Sequence, residues 1–86
     1  MEIRESMSIK EKTERWKLMA EIFLKNDTKV FVKDVGGDIY FADIILVGDD
    51  TLTIKCFGPE QRKGEKFILY WALILEFEDF KGEAKK

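Results

Sequence analysis

Residues 29–77 read KVFVKDVGGDIYFADIILVGDDTLTIKCFGPEQRKGEKFILYWALILEF, and this stretch decides the fold. Apolar residues alternate with polar ones along short runs, and turn formers cut the runs at Gly36-Gly37, Gly48-Asp49-Asp50 and Gly58-Pro59. Alternation with a period of two marks strands that bury one face. The first strand is expected over residues 28–35, with Val30 and Val32 on one face and Lys29, Phe31 and Lys33 on the other. Gly36-Gly37 then reads as a two-residue hairpin turn that tolerates positive φ at both positions. The second strand, residues 38–47, sets Tyr40, Ala42, Ile44 and Leu46 against Ile39, Phe41, Asp43, Ile45 and Val47. Its second half is apolar on both faces, the pattern of a strand that bends and is covered from two sides.

The third strand, residues 51–57, sends Leu52, Ile54 and Cys56 inward and Thr51, Thr53 and Lys55 outward. Cys56 is the chain's single cysteine. It excludes an internal disulfide and, from its place in the inward set, reads as a small core hydrophobe and not a nucleophile. A loop over residues 58–64 carries the single proline and the basic pair Arg62-Lys63. The run 66–77 is too continuously apolar for one exposed antiparallel strand. It is either two strands joined by a sharp corner or one segment buried on both faces by other subunits.

Upstream, Ser8 and Glu11 have the spacing of a capping box. Trp16, Met19, Ala20 and Phe23 follow at i, i+3, i+4 and i+7, a single apolar stripe with Ile9 one heptad earlier. Glu11–Arg15 and Glu21–Lys25 are i, i+4 pairs on the wet side, and Asn26-Asp27 ends the helix. The buried stripe covers too few heptads for a coiled coil. Residues 1–7 read as a tail, with Met7 as an alternative start, residues 8–26 as the helix, residues 28–79 as the β domain and residues 80–86 as a second tail.

The chain has 86 residues, 45% of them hydrophobic, with seven Phe, two Trp and two Tyr. That is one small domain, whose core needs large aromatic side chains because a chain of this size buries a modest share of its surface. The formal charge is −2, from 15 basic and 17 acidic residues. Nucleic-acid affinity rests on neutralised phosphates, so any such site is local or created by assembly. No apolar run reaches membrane-spanning length, and the expected setting is soluble and cytoplasmic. Asn and Gln occur once each among many Lys and Glu, a bias found in heat-adapted proteins.

The order of helix, strand, Gly-containing turn, long strand, short turn, strand, loop and two further strands resembles the Sm/Sm-like (LSm) family. The first family motif has alternating apolar residues, a Gly, an aromatic or apolar residue three on, a small residue and an apolar one. Here these positions hold Val30, Val32, Gly37, Tyr40, Ala42 and Ile44. Ala42 stands where the family usually has Gly. The resemblance covers residues 8–79. It implies a mostly β fold, an N-terminal α-helix followed by a five-stranded, strongly bent antiparallel Sm-like (SH3-like) barrel. It also implies a homo-oligomeric ring in which the fourth strand of one subunit pairs with the fifth of the next.

Two departures bear on function. RNA-binding members carry an Asp and then an Asn after the long strand, whereas this chain has Asp49, Asp50 and Thr51 with no Asn. The family's cationic residue at the last corner is missing from the stretch that holds Tyr70 and Trp71. The expected partners are copies of the chain itself and single-stranded RNA. An RNA site would use base stacking by Tyr70 and Trp71, the turn of Asp49, Asp50 and Thr51, and phosphate contacts from Arg62 and Lys63, which form a basic cluster with Lys66. The alternative is an oligomeric protein-interaction scaffold that has lost RNA recognition. In the bland reading the two rings are packing and the basic loop is merely solvated. The acids of 49–50 and 76–79 read as turn formers more than cation ligands. No cofactor, metal or catalysis is expected: the chain has no His, and its only serines are Ser6 and Ser8.

Overall fold

The computed structural model describes residues 9–80, so the Ser8 cap, the Met7 start, residues 1–7 and the tail after Phe80 lie outside the described residues. Helix α1 (Ile9–Lys25) is followed by β1 (Val30–Asp34), β2 (Ile39–Val47), β3 (Thr51–Gly58), β4 (Lys66–Tyr70) and β5 (Ile74–Asp79). The strands form one antiparallel sheet in the order β4-β3-β2-β1-β5. The fold is thus an N-terminal helix and a five-stranded antiparallel sheet, consistent with an Sm-like domain. Hydrogen bonding leaves β4 and β5 as the two edges of the sheet and does not join them into a closed barrel.

α1 presents the expected stripe. Ala20 is fully buried, and Trp16, Met19 and Phe23 pack against the core. Trp16 and Phe23 both lean on Phe77 of β5, with ring centroids 5.9 and 5.8 Å away. The helix ends where Asp27 adopts φ 59°. The Thr28 N–H donates to the Phe23 carbonyl at 2.8 Å and the Asp27 N–H to the Leu24 carbonyl at 3.2 Å. This pair of bonds is a Schellman termination, with Asp in the position that glycine usually takes. On the wet side the Glu21–Lys25 pair does not close to an ion pair among the described residues.

One core lies inside the curl of the sheet. Val30, Val32, Tyr40, Ala42, Ile44, Leu52, Ile54, Cys56, Ile74 and Phe77 are buried, and Trp71 and Ala20 complete it. The β1, β3 and early β2 alternations therefore point as expected. β2 changes face at its far end because its pairing with β3 shifts register between Ile44 and Leu46. That irregularity leaves Leu46 59% exposed and turns Val47 against the core. Such bulges bend a strand and raise its local twist, which is how a flat pattern becomes a curled sheet. Further irregularities, between Phe41 and Ala42 opposite β3 and between Lys33 and Asp34 opposite β5, bend the other end.

Two expectations need correction, one for a turn and one for the start of the second tail. Only Gly37 has positive φ (94°), because the β1–β2 turn is organised by Asp34 instead of by two left-handed glycines. The Asp34 Oδ1 accepts the N–H groups of Gly36 at 2.9 Å and Asp38 at 3.0 Å. Phe80 is not the start of a free tail: its N–H donates to the Lys29 carbonyl at 2.8 Å. Its ring sits 5.0 Å from Phe41 and 5.3 Å from Phe57, on the side of the sheet away from the core.

The apolar run 66–77 takes the two-strand solution. β4 stops at Tyr70, a single 3₁₀ turn (Trp71–Leu73) makes the corner, and β5 starts at Ile74.

Candidate functional site

The corner after β4 and the turn after β2 are held together by two hydrogen bonds from one residue. The Trp71 backbone N–H donates to the Asp50 carbonyl at 3.0 Å. Its indole Nε1–H donates to the Gly48 carbonyl at 3.1 Å. The turn itself closes through the Gly48 N–H and the Thr51 carbonyl at 2.8 Å. Thr51 then pairs with Tyr70 across β3 and β4.

Asp49, Asp50, Thr51, Tyr70 and Trp71 therefore converge, as the sequence proposes. Helix α1 walls the other side, making a pocket of about 690 Å³ lined by Thr13, Glu14, Lys17, Asp49, Asp50, Tyr70, Trp71 and Ala72. The sequence reading missed Thr13, Glu14, Lys17 and Ala72. The three helix residues lie off the apolar stripe, and nothing in a wet helical face says which loop it will meet.

Trp71 is in the wrong place to serve as a stacking platform. Its side chain is 1% exposed, and Phe77 meets its ring edge-on at 5.7 Å. A large aromatic with a single N–H donor stays buried when that donor finds a carbonyl, and Gly48 supplies it. Tyr70, one residue earlier, is on the opposite face of β4 and is 58% exposed.

The pocket's charge is unfavourable to phosphate. Glu14, Asp49 and Asp50 oppose Lys17 alone. Lys17 reaches Asp49 at 3.5 Å, but the Asp49 side chain is 98% exposed, so this pair contributes at most a few tenths of a kcal/mol.

Arg62 and Lys63 do not line this pocket. Arg62 belongs to a 3₁₀ turn (Glu60–Arg62) and faces the β1–β2 turn. Its Nη2 donates to Asp38 Oδ1 at 2.9 Å. The guanidinium lies 4.8 Å from the Tyr40 ring centroid and 5.7 Å from that of Phe67. The Tyr40 hydroxyl in turn donates to Asp34 Oδ2 at 3.1 Å. Burial, first, and then the bonded Asp34 carboxylate push the Tyr40 phenol up to about 12. Arg62 is thus a structural cation, not the phosphate contact expected of it. The signal was present: the i+4 aspartate pair Asp34/Asp38 and the aromatics Tyr40 and Phe67 outnumber the one cation they surround. Lys63 is exposed beside it.

No family model matches the sequence, and no curated protein matches it. Chemistry must therefore be read from the residues. Among the described residues no group of three His, Cys, Asp or Glu side chains is placed to hold a metal ion. Among the same residues no helix is long and apolar enough to cross a membrane. Cys56 is a buried free thiol, and burial raises its pKa, which suppresses the reactive thiolate.

Both sheet edges carry exposed apolar side chains. β4 exposes Ile68 (68%) and Tyr70, and the corner and β5 expose Leu73 (51%) and Leu75 (49%). The half-buried residues of β4 are Phe67 and Leu69, which pack on the core between them.

Proposed function

We propose that this chain is an Sm-like subunit that assembles with copies of itself into a closed ring and serves as a protein-interaction scaffold in the cytoplasm. The observation that carries the reading is the match between the two free edges. β4 presents Lys66, Ile68 and Tyr70 on its outer side, and β5 presents Leu75, Glu76 and Glu78. Laid antiparallel, β4 of one copy sets Lys66 beside the acidic end of a neighbour's β5, and Tyr70 beside its Leu75. The inward rows, Phe67 and Leu69 on one side and Ile74 and Phe77 on the other, then continue as a single apolar layer. Bare edges with such side chains invite pairing. A contact between two different edges repeats head to tail and closes into a ring when the rotation allows.

Sedimentation equilibrium at micromolar concentration tests this. The wild-type chain runs as a closed multimer, and Ile68→Glu dissociates it while circular dichroism stays unchanged, because Ile68 lies outside the core. A wild-type chain that sediments as one folded protomer ends the ring reading.

A second reading, single-stranded RNA binding at the pocket, is favoured by the exposed Tyr70 ring beside it. Stacking contributes about 1–3 kcal/mol per base without fixed sequence. With Trp71 buried and three carboxylates around the pocket, Tyr70 carries this reading almost alone, and its salt dependence is shallow. Filter binding with short U-rich and A-rich RNA at low salt decides it: no retention rules it out, and retention that Tyr70→Ala abolishes places the contact.

A further inference from the structure

The wet face of α1 has a feature that neither the sheet edges nor the pocket uses. Leu18 is 68% exposed and Ile22 56%, one turn apart on the face opposite the buried stripe. They sit in the middle of a row, Glu11, Arg15, Leu18, Ile22 and Lys25, whose spacing alternates four and three. That spacing is the seam of a helix pair. Arg15 and Glu21 flank the apolar centre, and among the described residues neither makes an ion pair within the chain.

We propose that this face pairs antiparallel with α1 of a second copy, about a two-fold axis passing through Leu18. Charge complementarity selects both the occupant and the direction. In that arrangement residues whose numbers add to 36 meet. Leu18 meets Leu18 of the other copy, Arg15 meets its Glu21, and Glu21 meets its Arg15. Ile22 lies over the aliphatic stem of the opposing Arg15, which covers apolar surface while its charged head stays wet. A parallel pair sets Arg15 on Arg15 and Lys25 on Lys25. An antiparallel pair slipped by one turn, with Leu18 on Ile22, sets Arg15 on Lys25. Only the two-fold centred on Leu18 places opposite charges together, and it also opposes the two helix dipoles favourably. The contact is isologous and closes on itself, so it makes pairs and not filaments. It is small for a stable dimer on its own. In a ring every subunit presents the same face, and several weak contacts then act together to join two rings.

The test is a charge swap read by sedimentation at micromolar concentration. Arg15→Glu and Glu21→Arg each halve the mass of the assembly, and the double variant Arg15→Glu/Glu21→Arg restores it. In the ring-breaking background Ile68→Glu, the species at micromolar concentration is a single protomer, because one such contact does not hold without the others in the ring. Leu18→Cys oxidises to a disulfide-linked pair, whereas Lys25→Cys alone does not. Masses unmoved by either single charge variant overturn the proposal, as does a double variant that fails to recover. A wild-type pair that responds to the charge swap but never forms larger species overturns the ring and leaves the helix contact standing.

Discussion

The pocket beneath the Asp49-Asp50 turn and the cluster around Arg62 are built from the same ingredients and put to opposite uses. Each joins an aromatic pair to aspartates and one cation. Around Arg62 the groups turn inward: guanidinium Nη2 to Asp38, hydroxyl of Tyr40 to Asp34, and Asp34 to two backbone N–H groups, with the Arg62 Nε buried and without a partner. At the pocket, Trp71 takes the inward role, and Tyr70, Asp49 and Asp50 stay open to solvent. The difference lies in the hydrogen-bond partners. A polar group near an aromatic becomes structural where a second polar group lies within reach inside the fold, and remains available for a partner where it does not.

Truncating the two neighbouring rings is the most direct way to break this contrast. Trp71→Ala removes a fully buried indole and orphans the Gly48 carbonyl, and the expected loss is about 3–5 kcal/mol of stability. Much of the marginal stability of so small a domain goes with it. Tyr70→Ala, one residue away, costs less than about 1 kcal/mol in a dissociated protomer. Urea unfolding of both variants in the Ile68→Glu background measures the difference without the contribution of assembly. Equal losses would mean that the two rings do not have the separate roles assigned to them.

The Arg62 cluster is sharpened by pH. The Tyr40 phenol ionises near 12 in the folded chain against about 10 when unfolded. The folded state therefore holds this proton more tightly. The resulting stability is fully present below pH 10 and is lost as pH rises from 10 through 12. Two units correspond to about 2–3 kcal/mol. Tyr40→Phe removes this dependence, so the wild-type stability curve falls toward and then through that of the variant between pH 10 and 12. The variant is the weaker of the two at neutral pH by about 1 kcal/mol, the value of one hydrogen bond. Parallel curves across that range would show that neither burial nor Asp34 holds the Tyr40 proton in the folded chain.

What the sequence made legible followed from local periodicity. The helix stripe from Trp16 to Phe23 and the inward rows of β1 and β3 each need only the residues themselves and their spacing, whereas the spacing of 66–77 left two strands with a corner and one segment buried by other subunits both open. Reading failed where a side chain chose between two distant partners. Trp71 and Arg62 were both eligible for a ligand, and both were claimed by the fold, through Gly48 and Asp38, residues that lie 23 and 24 positions away in sequence. The face change in β2 was half hidden: the doubly apolar run Ile44, Ile45, Leu46 and Val47 signals a bend, but nothing in it places the bulge that sends Leu46 outward instead of covering both faces. The pocket's helical wall was missed for a related reason: Thr13, Glu14 and Lys17 gain meaning only from how α1 lies across the corner.

Asp27 extends the contrast to an aspartate held by neither arrangement. Asp34 owes its place to side-chain bonds, whereas Asp27 makes no side-chain hydrogen bond with the other described residues and is fixed by its backbone alone, at φ 59°. A left-handed conformation costs an L-residue about 1–2 kcal/mol, less for Asp than for most. Glycine removes that cost but adds freedom to the unfolded chain, which returns part of the gain. Asp27→Gly is therefore expected to stabilise the protein by about 0.5–1 kcal/mol, visible as a rise in the urea midpoint with an unchanged slope. Asp34→Gly, by contrast, strips two backbone N–H groups and Tyr40 of their acceptor and destabilises. If both substitutions move the midpoint the same way, the distinction between an aspartate chosen for its carboxylate and one tolerated for its backbone does not hold in this fold.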